Sequence, residues 1–183
     1  GYYPGAHAIH LKLVFSVPDG RILGAQAVGL EGVEKRIDVI ATAIQFNGTV
    51  HDLAEAELCY APQFGAGKDP VNLARMLAGN VLKGDMPLAD WAALAQTDAL
   101  LLDVREPDEF AQGHLPNAFN LPLSPLRSRW SELPQDRDIW ICCAVGQRAY
   151  YALRFLNQRG YRAQNLSGGY ATYNALKAAA LVL

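Results

Sequence analysis

Three short strand-length runs place the strongest limit on how this 183-residue chain folds: the apolar ALLLDV at 99–104 and DIWICC at 138–143, and a last short one around Ala163 to Leu166. Each has the length of a buried strand and falls short of a helix, and between them lie segments of helical character such as RAYYALRFLNQRG, which ends on Gly160. Buried strands alternating with helices are the pattern of an α/β domain, a parallel sheet with helices on both faces. The last run leads through Gly168-Gly169 to a closing helix expected from about Tyr170.

The first eighty residues have another rhythm. Ile9, Leu11, Leu13 and Phe15 alternate with His10, Lys12 and Val14, and PDG then turns the chain into RILGAQAVG, which predicts a β-hairpin. From Val33 the period changes: Val33, Ile37, Ile40 and Ile44 recur at three and four, and Asn47-Gly48 closes the helix with a left-handed cap. Thr49 with Asp52 is an N-cap signature, and Asp69-Pro70 starts a helix through about Lys83 after the loop APQFGAGKDP. KGDMP is the expected boundary, giving an α+β domain over 1–83, antiparallel sheet with helices, and the α/β domain over 84–183.

Sixteen basic and 18 acidic residues are spread along the chain without a basic stripe, which argues against a nucleic-acid partner. No apolar stretch approaches the roughly 20 residues of a membrane span, so no membrane partner is expected. The three cysteines, Cys59, Cys142 and Cys143, are an odd number with two adjacent, a poor disulfide framework that suits a reducing compartment and makes the cytoplasm the expected location. The chain opens on Gly1 and enters a strand almost at once, as a piece of a longer protein does. No metal-ligand spacing is found.

The stretch WICCAVGQRA carries the chemistry. Its strand reaches the carboxyl edge of the sheet, where open α/β sheets hold their ligands. The helix is expected to begin near Arg148, so Cys143, Ala144, Val145, Gly146 and Gln147 form the strand-to-helix turn. A tight turn with glycine presents successive N–H groups to an anion, and the helix terminus adds partial positive charge. A thiol at Cys143 is therefore expected to be more acidic than a free cysteine and nucleophilic. Cys142 is still in strand geometry, points to the opposite side and belongs to the core. Arg148 either holds an anionic substrate or caps the loop from within.

Residues from about 87 to 177 resemble a single-domain rhodanese. LLDVREPDEFAQGHLPNAFNLPL resembles the family's Asp-x-Arg and Gly-His-x-Pro-x-Ala stretches, CAVGQR its active-site loop, and NLSGGYATY its closing segment. The resemblance implies that Cys143 accepts a sulfane sulfur as a persulfide and passes it to a thiol or cyanide. It implies that Asp103 and Arg105 order the loops around the site; without it, Arg105 is expected to pair with Glu109 or Glu106. His114 has the setting of a hydrogen-bonded loop residue rather than a general base. Phosphatases of related fold have five residues between cysteine and arginine, whereas this loop has Ala144, Val145, Gly146 and Gln147, a smaller ring that suits sulfur better than phosphate.

Residues 1 to about 80 are similar to the dimerisation domain of flavin-dependent pyridine nucleotide-disulfide reductases, on GYYPGA, GAQAVG and LCYAPQFGAGKDPVNLA, the last resembling the coenzyme A disulfide reductase branch. The resemblance implies a homodimer, with Tyr60 and either Tyr2 or Tyr3 reaching the partner's redox site and bound coenzyme A. Cys59 is expected to be packing. The G-x-G-x-x-G fingerprint is absent from the sequence, so no cofactor is expected on this chain; FAD and NAD(P)H belong to upstream domains. Small sulfur donors and thiol acceptors are the expected partners of the second half. The alternative is a non-catalytic rhodanese-like docking and dimerisation module, in which Cys143 is unreactive.

Overall fold

The alternating apolar pattern near the start folds as a hairpin. In the computed structural model, which describes residues 3–179, β1 (Ile9–Phe15) pairs antiparallel with β2 (Ile22–Gly29). Its apolar face, with Leu11, Leu13 and Ala25, rests on a core in which Ile22 of β2 meets Ile40, Leu53 and Val71 from helices α1 (Val33–Gln45), α2 (Val50–Glu55) and α3 (Pro70–Leu82). The caps read from the sequence form. Thr49 and Asp52 exchange hydrogen bonds at the start of α2, and Asp69 accepts from the Val71 N–H at 3.0 Å at the start of α3. In the turn after α1 the left-handed residue is Asn47, at φ 56°, a conformation that asparagine tolerates better than most residues.

Asp69 has a second partner that the sequence pattern does not announce. Arg36, on the buried side of α1, places Nη2 2.8 Å from Asp69 Oδ2, and the two side chains are 6% and 8% exposed. The same guanidinium donates to the carbonyls of Gly32 and Phe64, both at 3.0 Å. One arginine therefore ties α1 to the start of α3 and to the long loop between α2 and α3. A buried ion pair is a weak source of net stability, but its partners are coupled, because removing one strands the other's charge in the interior.

The chain divides into two compact units, Gly1–Gly84 and Asp85–Leu183. The second holds a four-stranded parallel sheet in the order β4-β3-β5-β6, formed by β3 (Leu100–Asp103), β4 (Phe119–Asn120), β5 (Ile139–Cys142) and β6 (Ala163–Asn165). Four helices accompany it: α4 (Pro107–Ala111), α5 (Leu123–Arg129), α6 (Gln147–Asn157) and α7 (Gly169–Ala178). Strand alternation sorts the sheet into two apolar layers. Leu102, Ile139 and Ile141 pack with Leu126 of α5 and Leu153 and Leu156 of α6 on one face. Leu101 and Trp140 pack with Tyr173 of α7 on the other. Among the described residues, no helix is long and apolar enough to cross a membrane.

Replacing Arg36 with Ala leaves the Asp69 carboxylate buried and unpaired. The first unit is expected to lose about 3–5 kcal/mol, read from denaturant unfolding of the variant against the parent chain, whereas Asp38→Ala on the exposed side of α1 serves as the near-neutral control.

Candidate active site

β3 and β5 run in register, with Asp103 opposite Cys142, so the chain beyond each strand leaves from the same edge of the sheet. The two adjacent cysteines part there. Cys142 enters the layer of Leu101, Trp140 and Leu166, and Cys143 the opposite layer beside Leu102 and Ile141. Burial pushes the Cys142 thiol pKa far up, and the Asp103 charge adds to the effect; the thiol donates to the Cys143 carbonyl at 3.4 Å. The Cys143 sulfur accepts the Gly146 N–H at 3.1 Å.

The loop from Cys143 to Arg148 is held by its carbonyls. Those of Cys143 and Ala144 accept the N–H groups of Tyr170 at 2.8 Å and Ala171 at 3.1 Å, from the first turn of α7. That of Gly146 accepts from Tyr150 N–H at 3.0 Å and from the Asn165 side chain at 3.3 Å. Among the described residues, the N–H groups of Ala144, Val145, Gln147, Arg148 and Ala149 meet no acceptor. A loop whose carbonyls are engaged and whose amides are free is a cradle for electron-rich atoms. Two glycines permit it. Gly146 takes φ 101°, and Gly169 lies so close to the loop that a Cβ there would collide with the Cys143 carbonyl oxygen and come within 2.9 Å of Ala144. Helix α6 begins at Gln147, one residue before the expected start, because the left-handed Gly146 is its N-cap. Val145 and Gln147 are exposed at the loop's tip, where Gln147 donates to the Tyr151 hydroxyl at 3.3 Å.

The expected pairing of Arg105 with Glu106 or Glu109 does not occur. Arg105 folds back on Asp103, two residues earlier and fully buried, with Nη2 to Oδ2 at 2.7 Å, and the Arg105 backbone N–H reaches Oδ1 of the same carboxylate at 2.9 Å. The nearer carboxylate is already desolvated by the strand, whereas Glu109 sits on α4 and points elsewhere. Burial by itself would lower the Arg105 pKa, but the Asp103 hydrogen bonds and charge outweigh it and raise it. Arg105 also donates to the Gly113 carbonyl at 2.7 Å, and its guanidinium carbon lies 4.3 Å above the Tyr170 ring. Asn120 ties the same turn from β4, donating to the carbonyls of Asp103 and Arg105 at 3.0 and 2.9 Å.

Glu109 takes Arg148 instead. The two groups meet as a fork, Nη1 to Oε2 at 2.6 Å and Nη2 to Oε1 at 2.7 Å, joining α4 to the first turn of α6. The Arg148 hydrogen bonds hold the Glu109 carboxyl down at about 2. Arg148 is raised, first by Glu109 and further by the Cys143 sulfur that it also faces. The signal for Glu109 was its place three residues after Glu106, in the Glu-Pro-Asp-Glu start of a helix, where it also accepts the Glu106 N–H at 3.1 Å. His114 stacks on Phe110 at 3.8 Å and hydrogen-bonds the Phe110 carbonyl at 3.0 Å.

In the first unit, Tyr60 is 62% exposed and Tyr3 48%, while Tyr2 lies outside the described residues. Cys59, expected to pack, is an exposed free thiol, since in this stretch it is Leu58 that packs against the core. Among the described residues, no cluster of His, Cys, Asp and Glu has the arrangement to hold a metal ion.

Comparison with known proteins accords with both halves. Residues 88–176 match the rhodanese-like domain, and residues 1–69 match the pyridine nucleotide-disulphide oxidoreductase dimerisation domain. A sulfurtransferase of Allochromatium vinosum is 50% identical over 78 residues, which are 42% of this chain and 73% of that protein. The coenzyme A disulfide reductase of Staphylococcus epidermidis is 45% identical over 73 residues, 40% of this chain and 17% of the reductase. The crystal structure of reduced Bacillus anthracis CoADR-RHD superposes with a TM-score of 0.93 at 42% identity, covering 100% of this chain and 33% of that one. A NAD-dependent persulfide reductase from A. fulgidus gives 0.82 at 38% identity, covering 93% and 31%. The chain thus spans about a third of those two structures and a smaller share of the curated reductase.

Because the Glu109 carboxyl lies near 2 rather than its ordinary 4.5, its ion pair contributes stability fully above the ordinary value and loses it as pH falls toward the depressed one. The difference in melting temperature between the parent chain and Glu109→Gln should be constant from about pH 7 to about pH 5 and close as pH approaches about 2.

Proposed function

Since the chain belongs to the rhodanese-like family through residues 88–176 and carries the oxidoreductase dimerisation domain over residues 1–69, we propose that it transfers sulfur through a persulfide on Cys143, as part of a longer, cytoplasmic coenzyme A disulfide, persulfide or polysulfide reductase. The observation that carries this reading is the Cys143 sulfur held under the Gly146 N–H in a loop whose remaining amides are free. The thiolate attacks the outer sulfur of a donor. A new S–S bond forms on Cys143, the donor's own bond to that sulfur breaks, and the leaving group departs with the electron pair. The free amides stabilise the negative charge that gathers on the transferred sulfur. A thiol such as coenzyme A, or cyanide, then removes that sulfur and restores the thiolate, so no outside oxidant or reductant enters the cycle. Asp103 and Arg105 act by position, holding Tyr170 and with it the loop carbonyls.

The sequence has no G-x-G-x-x-G loop to seat a dinucleotide; FAD and NAD(P)H are assigned to the upstream part of the longer enzyme, and this chain's contribution there is a homodimer through its first unit and the exposed Tyr60 and Tyr3. A second reading, a rhodanese-like docking module without catalysis, draws on the 1% exposure of Cys143. It requires that Cys143 resist alkylation at every pH at which the chain is folded.

Cys143→Ser should abolish sulfur transfer to cyanide, measured as thiocyanate, while Cys142→Ser keeps most of it, because Cys142 faces the other layer of the core. Equal loss in two folded variants contradicts the assignment. In the full-length enzyme, Tyr60→Phe should slow reduction of a coenzyme A disulfide by roughly ten- to a hundredfold through loss of one hydrogen bond to a departing thiolate, with dimerisation and Cys143-dependent transfer near normal. Unchanged reduction, or a broken dimer, would show the tyrosine to be packing.

A further inference from the structure

Arg148 is the one cation in the stretch from Cys143 to the first turn of α6, since Ala144, Val145, Gly146 and Gln147 carry no charge. Its guanidinium faces the Cys143 sulfur on one side and is forked by the Glu109 carboxylate on the other. Both Glu109 oxygens are engaged, by Arg148 and, for Oε2, by the Glu106 N–H as well, so the carboxylate is fixed in place. Arg105, the other cation of this sheet edge, is buried against Asp103 and the Gly113 carbonyl. The site therefore offers a transferring sulfur its amides and little net positive charge.

We propose that Glu109 sets which sulfur donor the site accepts, by cancelling the charge of Arg148. The inference rests on the reading of Cys143 as the sulfur acceptor. Two chemical classes of donor differ in what they demand here. In an organic persulfide, the sulfur to be transferred ends a carbon chain: Cys143 attacks it, the bond between the two donor sulfurs breaks, and an organic thiolate leaves with the electron pair. In thiosulfate the same sulfur hangs on a sulfonate. The S–S bond breaks in the same sense, but sulfite leaves, and a fixed dianion must be held beside the loop throughout. A free arginine serves that oxyanion with a bidentate pair of donors. An arginine already forked by a carboxylate keeps N–H groups but has little net charge left with which to hold a dianion. The geometry selects persulfide donors over thiosulfate, and Glu109 is the specificity-determining residue.

The test compares kcat/KM for thiosulfate and for glutathione persulfide, each with cyanide as acceptor, in the 183-residue chain. Glu109→Gln frees Arg148 and should raise the thiosulfate-to-persulfide ratio by roughly ten- to a hundredfold, with the gain falling as salt screens the exposed charge. Glu109→Asp, which keeps the carboxylate, should stay near the parent ratio, an outcome that a merely structural role for Glu109 does not predict. Adding Arg148→Gln to Glu109→Gln should remove the gain. If the ratio in folded Glu109→Gln is unchanged while transfer still depends on Cys143, the selectivity proposal is wrong and the sulfur-transfer reading stands. If transfer persists in Cys143→Ser, that reading fails and the proposal with it. Should Glu109→Gln not fold, Arg148→Gln alone decides: a ratio within about threefold of the parent shows that the charge was already cancelled, and a selective tenfold loss with thiosulfate, about 1.4 kcal/mol, shows that it was not.

Discussion

The second unit depends on a buried fork between Arg105 and Asp103. Two charges taken out of water at the end of a strand are tolerated only when they are well paired and further hydrogen-bonded, and here the pair is tied both to its own turn and to other segments. Asp103 takes the Arg105 backbone N–H, Arg105 takes the Gly113 carbonyl, and the flat guanidinium lies against Tyr170. Tyr170 in turn gives its N–H to the Cys143 carbonyl. A polar cluster that looks structural therefore decides where the loop's carbonyls go, and by elimination leaves its amides to whatever lies over Cys143.

The division of labour between the adjacent cysteines follows from the two-residue period of a strand. One step along the chain carries a side chain from one face of the sheet to the other. Cys142 is deep in the layer against α7, beside the Asp103 charge, and stays a thiol. Cys143 comes just where the strand gives way to a left-handed glycine and a helix terminus. The same residue type thus meets opposite surroundings because the strand ends between them.

Periodicity and punctuation were the legible part of the sequence. The hairpin from Ile9, the caps at Thr49 and Asp69 and the buried runs that became β3, β5 and β6 are local patterns, in which each residue's surroundings are set by near neighbours. β4 has only Phe119 and Asn120, too short to show any period. The long-range pairings were the illegible part. Nothing local tells Arg36 to reach across to Asp69, 33 positions on, or Glu109 to meet Arg148, 39 positions on. For Arg105 the sequence offered four carboxylates close by, and the choice fell on the one that strand burial had already desolvated. The loop containing Cys143 was legible as a strand-to-helix turn, but the role of Gly169 in pressing α7 against it was not, because that need arises from another segment's backbone.

The opposed orientation of the two cysteines bears on how long a sulfur would stay on the chain. In many thiol carriers a second cysteine beside the loaded one attacks it and releases the cargo as an internal disulfide. Here the nearest thiol in sequence faces the far layer of the sheet, donates a hydrogen bond to a backbone carbonyl and is held protonated by burial. A persulfide on Cys143 would have no resolving partner next to it, so its lifetime would be set by the arrival of an acceptor from outside. The domain would then behave as a store that empties on demand.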